Sequence, residues 1–586
     1  MRKLLILVGL FLVTSSLTAQ VTKPKDTLKT ETINVTKSFK PTVSDAYKIH
    51  ENPSVQEDKT LLKESINYQI QSVPVASTFT PAKGKAQVLE RPKRELIYDS
   101  FLSVGYGNFS SPFVESFLKS KIERENYLSL HALYNASKNA VSDAIIDDEY
   151  SNLAVKGGYH FQDNYLKWDT KLRFENTKIN WYGLPSNITY NPVLLENVKT
   201  KQLYKTFGVD GNVEFKEFFI KKVTADLSYF NDDFDSKETQ LYVSTEMDFP
   251  ISTEKIAIEA DVDLIKGSFE KEYSSITDLE HSFLKLGLKP SFQVLRENFM
   301  LNLGVNLFYS FDLEHRKSKL YSYPNVFASY KVMDNYLIPF IGVIGSLQTN
   351  SYKSLVDKNP FVSPNLLIKE TDQTYNAFIG FKGNLSKSFD YQLKASLINE
   401  KDRAFFILNQ SKTNGFNSFE FGYEAGNSFN LIYDDLKTIE LEVSANLAIT
   451  ENFTLNSILT FNNYNTDNIL EAFNLPTYKA TVGASYIAKK WYANSTINLV
   501  GETKDYQVPY GFANILPSNQ FIIADSYIIK NNAYVDLNVN AGYNFSNRLT
   551  AFVKLSNLLN SDYKFVSHYK TQGLQAIAGI TYKFDL

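Results

Sequence analysis

The side chains best suited to acid–base or metal chemistry are six histidines, and they are scattered along the chain. They are His50, His131, His160, His281, His315 and His568. None of them forms the paired spacing of a metal-binding motif. His131 and His160 fall on the polar side of alternating stretches, and we interpret both as hydrated wall residues. The sequence contains no cysteine, which excludes thiolate metal sites and structural disulfides.

Two acidic clusters carry the oxygen ligands that calcium prefers. One is Asp147, Asp148 and Glu149; the other is Asp232 and Asp233 with Asp235. Calcium loops are one interpretation, and solvated acidic turns are the one we favour. The aromatic segment 181–185 could contact a ligand or pack a loop over a pore, and we favour packing.

The sequence carries no recognisable catalytic motif. There is no glycine-rich phosphate loop with its lysine and serine or threonine, and no signature of an outer-membrane protease or phospholipase. We therefore predict no catalytic residues, no metal, no cofactor and no enzymatic activity. The net charge of -3 gives no indication of a nucleic-acid partner.

The elements that position these side chains are alternating runs of residues that begin near Tyr98 and continue to Leu586. In the run from Leu166 to Glu175, apolar and aromatic residues alternate with charged ones. A period of two is typical of a β-strand with two unlike faces. Because a row of Lys, Asp, Arg and Glu needs water, one face must be hydrated and the other must meet lipid.

The lengths of the runs and of their connections indicate a membrane barrel. The runs are about 9 to 13 residues long, which suits tilted strands that cross a bilayer. Short turns such as 162–164 and 546–548 alternate with long connections such as 178–201, 349–371 and 502–530. We predict an all-β fold over residues 98–586: a transmembrane antiparallel β-barrel of about 22, and up to 24, strands. Residues 403–435 are ambiguous between strand and loop.

The N-terminal region predicts export followed by an extended segment. A basic start, an apolar run from Leu4 to Val13 and a small-residue cleavage site before Gln20 predict a signal peptide over residues 1–19. Residues 20–97 are interrupted by prolines, which break helices and sheet ladders. We expect an extended periplasmic arm there, and we expect the protein in the outer membrane.

Three segments resemble elements of TonB-dependent receptors. The first is a TonB-box-like segment made of Glu31, Thr32, Ile33, Asn34, Val35 and Thr36. The second, residues 553–563, is similar to the next-to-last strand of that family. The third carries Tyr582 and Phe584, which resemble the closing-strand signal of the barrel. The resemblance implies contact with outer-membrane lipid, recognition by the barrel-assembly machinery, and docking to TonB or to another periplasmic or lipoprotein partner by strand addition.

One departure from the family concerns the plug domain that fills its barrel. Only residues 37–94 stand between the box-like segment and the barrel, and they are broken by prolines. We therefore expect a barrel that lacks the plug, with its lumen filled by the arm, the long loops or a partner. The expected function is transport of a substrate across the outer membrane. The alternative is a structural or assembly subunit of a larger outer-membrane complex, whose arm docks a partner.

Overall fold

The computed structural model describes residues 98–586, except 124, 276 and 508–527. Within them, 22 strands form one antiparallel sheet that closes on itself. The predicted fold class and barrel are thus confirmed at the lower end of the expected strand count. The signal peptide, the arm, the box-like segment and any plug lie outside the described residues, so those predictions stay predictions.

The strands β1 to β22 follow one another around the barrel in chain order. They are Ser100–Gly107, Ser111–Lys121, Tyr127–Ser137, Tyr150–Gln162, Leu166–Asn180, Lys201–Phe215, Ile220–Asn231, Lys237–Ile251, Glu254–Phe269, Leu279–Leu295, Phe299–Asp312, Lys317–Tyr330, Ile338–Gln348, Thr371–Ser386, Phe389–Leu408, Phe429–Thr450, Phe453–Thr466, Tyr478–Ile487, Trp491–Val500, Tyr534–Asn544, Leu549–Ser556 and Gln575–Phe584.

The barrel closes between its first and last strands. β1 pairs antiparallel with β22, from Ser100 opposite Phe584 to Gly107 opposite Ile577. Ser103 and Thr581 lie opposite each other, and their hydroxyl oxygens are 2.7 Å apart. Closure leaves no free edge on the sheet, as a membrane barrel requires, because hydrocarbon cannot satisfy unpaired backbone groups.

The two faces of the wall differ as the alternation predicts. Large apolar side chains stand exposed on the outer face, among them Leu172 (61%), Phe207 (50%) and Ile580 (56%). An apolar surface of this kind all around a cylinder is typical of contact with lipid. On the closing strand, Ala578 and Tyr582 are exposed alongside Ile580, whereas Gly579, Thr581 and Lys583 are partly covered on the lumen side.

The connections separate the barrel into a turn end and a loop end. The turn end carries short connections such as 163–165, 252–253, 296–298 and 387–388. The loop end carries the long connections 181–200, 349–370, 409–428, 501–533 and 557–574. Exposed aromatic pairs ring the turn end, including Phe218 with Phe219 and Tyr543 with Phe545. Aromatic girdles of this kind stand at a membrane interface.

The ambiguous segment 403–435 proves to be strand, loop and strand. β15 continues to Leu408, residues 409–428 form a loop, and β16 starts at Phe429. The pairing of β15 with β16 shifts register between Glu400 and Arg403, and Asp402 has a positive φ of 50°. This bulge interrupts the period of two, which is why the sequence pattern was ambiguous there.

The remaining described elements are small and belong to the loop end. Helix α1 spans Pro192–Leu195 and helix α2 spans Tyr352–Lys358, while Gly422–Glu424 forms a 3₁₀ turn. Two hairpins pair Thr503–Tyr506 with Ile528–Asn531 and Lys564–Val566 with Tyr569–Lys570. None of the described helices has the length and apolar character needed to cross a bilayer.

Candidate functional site: the loop cap and its cavity

Loops from opposite walls of the barrel meet at the loop end. Trp181 follows β5, and Asn427 precedes β16. These positions are about ten strands apart in a ring of 22, so they face each other across the lumen. The side-chain amide of Asn427 nevertheless donates a hydrogen bond to the carbonyl oxygen of Trp181 at 3.0 Å. The loops therefore extend over the mouth of the barrel and touch each other.

A third part of the barrel contributes the hairpin 564–570, which lies between β21 and β22. The hydroxyl of Tyr569 donates to the carbonyl oxygen of Asn427 at 2.7 Å. Its ring stacks on Phe361, from the loop after β13, with ring centroids 3.4 Å apart. The hydroxyl of Tyr182 donates to the carbonyl oxygen of Lys570 at 2.8 Å. We call the assembly of loops 181–200, 349–370, 409–428 and 557–574 the loop cap.

The loop cap shares a hydrophobic core with the loop-end residues of strands such as β6, β9 and β16. Trp181 is fully buried and packs edge-on against Tyr423, and Phe234 packs against both rings. Tyr352, Phe429 and Tyr569 are at most 1% exposed in the same cluster. A core of this kind resists opening, because each buried aromatic side chain contributes a few kcal/mol of transfer free energy.

A buried polar network attaches helix α2 to the wall. Glu238, at the start of β8, accepts hydrogen bonds from the backbone N–H groups of Tyr352 (2.6 Å) and Lys353 (3.1 Å). His281 Nε2 lies 3.1 Å from the same carboxylate. Ser351 and Ser354 complete the helix start with reciprocal capping hydrogen bonds. Because the free N–H groups are held by a wall carboxylate, the helix has a fixed position under the cap.

Asp232 links this helix to a second point of the wall. It accepts the hydroxyl of Tyr352 at 2.7 Å and the side-chain amide of Gln202 at 3.1 Å. It also accepts the backbone N–H groups of Phe234 and Ser236. Burial raises the pKa of Asp232, and the hydrogen bonds oppose that shift. Burial likewise places the pKa of Tyr352 far above its usual range, so its hydroxyl stays a donor.

A cavity of about 490 Å³ lies below the cap, between helix α2, the hairpin 564–570 and the upper ends of β15 and β18–β20. We call it the cap cavity. Four of its lining residues are cationic, namely Lys358, Arg403, Lys479 and Lys564, against the single carboxylate of Asp536. Buried rings of Phe405 and Phe473 and amides such as Asn359 complete the lining. Its volume suits a small molecule, since such sites occupy roughly 300–1,000 Å³.

Ion pairs cover the lumen face of strands β5–β10. Arg173 binds Asp210 at 2.8 Å and Asp226 at 2.5 Å. Lys289 binds Glu259 at 2.7 Å and Asp261 at 2.9 Å. The charged residues at every second position of the strands, from which we predicted a hydrated interior, therefore line the lumen. They do so as a network of ion pairs rather than as isolated charges.

The histidines do not assemble into a site. His131 lies 3.2 Å from Glu115, His160 contacts Asp169, and His315 lies 2.7 Å from Asp312. His568 is half-buried in the cap, and loss of solvent contact lowers its pKa to about 4. His50 lies outside the described residues. Across the described part of the chain, no group of three or more metal-ligating side chains comes together.

The favoured interpretation of the acidic clusters as solvated turns holds for Asp233 and Asp235, which are exposed, but is wrong for Asp148 and Asp232. Asp148 is 4% exposed and accepts the backbone N–H groups of Asn139, Ala140 and Val141, each at 2.6 Å. Asp232 is 6% exposed and organises its own turn and Tyr352. These carboxylates fold their loops because buried backbone donors need acceptors.

Segment 181–185 packs, as expected, with Trp181 inside the cap core. Tyr582 and Phe584 lie on the closing strand with ring centroids 6.0 Å apart at the turn end, and their role as an assembly signal stays a prediction. The sequence did not single out Glu238, Asn427 or Tyr569. Glu238 occupies one of the alternating positions of its strand that face the lumen. Nothing in the neighbouring sequence indicates the helix that it caps.

The fold and the cap define a large outer-membrane-type barrel whose loops meet over its mouth. No protein-family model matches the chain, and no curated protein matches it in sequence. Solved structures do match, and they are TonB-dependent receptors of the outer membrane. The chain is similar to the pyoverdine outer-membrane receptor FpvA of Pseudomonas aeruginosa PAO1, at 12% identity and a TM-score of 0.59 over 83% of this chain and 78% of the receptor.

Two further structures give the same result. The ferric-catecholate import receptor Fiu of E. coli K12 matches at 10% identity and a TM-score of 0.57, over 83% of this chain and 82% of the receptor. The copper transporter OprC matches at 13% identity and 0.56, over 84% and 83%. At these identities the likeness establishes the fold, and the fold supports an outer-membrane location.

Proposed function

We propose that this protein transports a solute across the outer membrane through its lumen, and that the loop cap gates the passage. The observation that carries the proposal is the contact of Asn427 with Trp181 across the mouth. The wall itself is one continuous hydrogen-bonded sheet, whereas the cap consists of loops that pack against one another and against the loop end of that sheet. A cap of loops can open without breaking the barrel, since loops move on faster timescales and at lower free-energy cost than a closed sheet.

The charged lumen supports the same proposal. Ion pairs such as those of Arg173 and Lys289 keep the wall hydrated, and a hydrated wall lets a polar solute pass. The similar structures include receptors and transporters for pyoverdine, ferric catecholate and copper. Transport rather than catalysis is therefore our proposal for this chain.

A structural or assembly role is the second candidate, and the density of the cap core favours it. Fully buried Trp181, Tyr352 and Tyr569 would also suit a permanently sealed barrel. In that case the arm at residues 20–97 would dock a periplasmic or lipoprotein partner. The two candidates differ in what passes through the lumen when the cap is weakened.

Swelling of proteoliposomes in an iso-osmotic sugar solution tests the proposal. A gated transporter should admit arabinose faster when Trp181 is replaced by Ala, because that change weakens the cap. Trp491→Ala, on the lipid-facing surface, is the matched control and should leave the rate unchanged. Equal, negligible entry for wild type and both variants, together with a partner that co-purifies through residues 20–97, would favour the structural role.

The link to TonB is a separate proposal about the segment Glu31 to Thr36. We propose that this segment adds a strand to TonB, as an extended stretch of alternating β-branched residues can. Ile33→Pro removes a backbone donor and should abolish cross-linking to TonB, whereas Ile33→Val should retain it. Cross-linking that persists in the proline variant would refute the proposal.

A further inference from the structure

We propose that the cap cavity binds an anionic small molecule, with a carboxylate, phosphate or sulfonate group held by Lys358 and Arg403 and an apolar or aromatic body against the cavity's rings. The inference names the class of solute that the lumen would carry, and in that respect it rests on the proposed transport function.

The first argument is an excess of positive charge that the protein neutralises only in part. Lys358 ends helix α2, is exposed at the cavity, and forms no ion pair within the described part of the chain. Burial, and then the nearby charge of Arg403, lower the pKa of Lys358. Glu400 pairs with Arg403 at 3.0 Å and opposes this shift, but no carboxylate in the described part of the chain pairs with Lys358. An anion that contacts both cations would lower their mutual repulsion.

The second argument is a set of donors without acceptors. Arg403 donates through Nη1 to Glu400 at 3.0 Å, but its Nε is buried and has no partner. Asn359, which follows Lys358 directly, is 1% exposed, and its Nδ2 is also buried without a partner. An unpaired buried donor destabilises the folded protein, because it has lost its hydrogen bonds to water. A carboxylate or phosphate, which only accepts hydrogen bonds, is the complementary ligand.

The third argument concerns position. The network of Glu238 and His281 fixes the start of helix α2, and so places Lys358 and Asn359 at its end toward the cavity. The rings of Tyr534 and Tyr563 stack in parallel at 3.9 Å in the same lining. Aromatic faces beside fixed cations suit a ligand with an apolar body and one charged group.

Calorimetric titration of the purified full-length protein in detergent tests the site. The probes are phenyl phosphate, inorganic phosphate and the neutral analogue benzyl alcohol. We expect saturable binding of phenyl phosphate, weaker binding of inorganic phosphate, and no measurable binding of benzyl alcohol. Equal affinity for phenyl phosphate and benzyl alcohol, or no saturable binding of phenyl phosphate, would overturn the proposal.

Variants locate the binding. Lys358→Gln should weaken phenyl phosphate about tenfold, the usual loss for one charge-assisted hydrogen bond. Lys353→Gln is the matched control, because Lys353 is on the same helix but binds Asp357 at 2.8 Å. Lys479→Gln changes an exposed cavity residue and tests the site even if Lys358→Gln fails to fold. Affinity that is unchanged in both cavity variants would contradict the site.

The titration is independent of transport, since no membrane is present. Binding without passage of phenyl phosphate into proteoliposomes, for Trp181→Ala as well as for wild type, would keep the site and reject the proposed function. Passage without binding would keep the function and reject the site.

Discussion

Asn427 and Trp181 stand 246 residues apart in the chain and on opposite walls of the barrel, yet they share a hydrogen bond of 3.0 Å. The bond joins loop 409–428 to loop 181–200 above the lumen. Tyr569, from a third part of the barrel, donates a hydrogen bond from its hydroxyl to the carbonyl oxygen of Asn427. Three separate parts of the barrel thus converge on one residue, which makes the cap a single packed unit.

Trp181→Ala should destabilise the cap without unfolding the barrel. The side chain is fully buried, and Trp→Ala changes in a core cost about 3–5 kcal/mol. Hydrogen exchange followed by mass spectrometry should show faster exchange in loops 181–200 and 409–428 and unchanged exchange in β16. Trp491→Ala should leave all three segments as in wild type, because Trp491 is 47% exposed on the outer face. Equal loop protection in both variants would contradict a shared cap core.

Asp505 should make the hairpin of Thr503–Tyr506 with Ile528–Asn531, which contacts the cap, sensitive to pH. It is fully buried in the hairpin that follows β19, and burial raises its pKa from 3.8 to about 7. The folded state therefore holds this proton after the unfolded state has released it, so this contribution to stability is present at low pH. It is lost as the pH rises from about 4 to about 7.

Hydrogen exchange of residues 501–507 checks this prediction. Protection of the wild-type hairpin should fall between pH 5 and pH 8 after correction for the intrinsic exchange rate. The side chain introduced by Asp505→Asn cannot ionise, so this variant should show the same protection at pH 5 and at pH 8. A pH dependence that is identical in wild type and Asp505→Asn would assign it to another group.

The closing pair can be captured as a disulfide. Ser103 and Thr581 are direct cross-strand partners on the lumen face, and their side-chain oxygens are 2.7 Å apart. Directly opposed side chains of an antiparallel pair come close enough for a disulfide after small adjustment. Ser103→Cys with Thr581→Cys should cross-link on oxidation, and the cysteine-free background leaves no competing thiol.

The control shifts one residue along the strand. Ile580 neighbours Thr581 but is 56% exposed on the outer face, so Ser103→Cys with Ile580→Cys should stay reduced. Faster migration on a non-reducing gel reports the closed chain. A cross-link in the control pair and none in the first pair would mean a register shifted by one residue.

The sequence predicted the wall much better than the cap, for a physical reason. The alternation from Leu166 to Glu175 is a local pattern that a strand with two unlike faces imposes on every second residue. The pairing of β22 with β1 was predictable as well, because a closed barrel has no free edge. The bulge at Glu400 and Arg403 breaks that local pattern, so the strand boundary there was ambiguous.

The candidate site depends on contacts that no local pattern encodes. Glu238 meets Tyr352 over 114 residues, and Tyr569 meets Asn427 over 142. Lys358 and Arg403 come from different elements and acquire a common role only when the cap folds. Packing of Trp181 was predictable because a lone large aromatic side chain in a polar loop needs a core, but its partners were not.

Single-channel conductance in planar bilayers tests the gated barrel most directly. Wild-type protein should conduct little or not at all, because the cap closes the mouth. Trp181→Ala should show frequent openings to a large conductance, while Trp491→Ala should behave as wild type. A steady large conductance in wild-type protein that Trp181→Ala leaves unchanged would contradict a lumen gated by the loop cap.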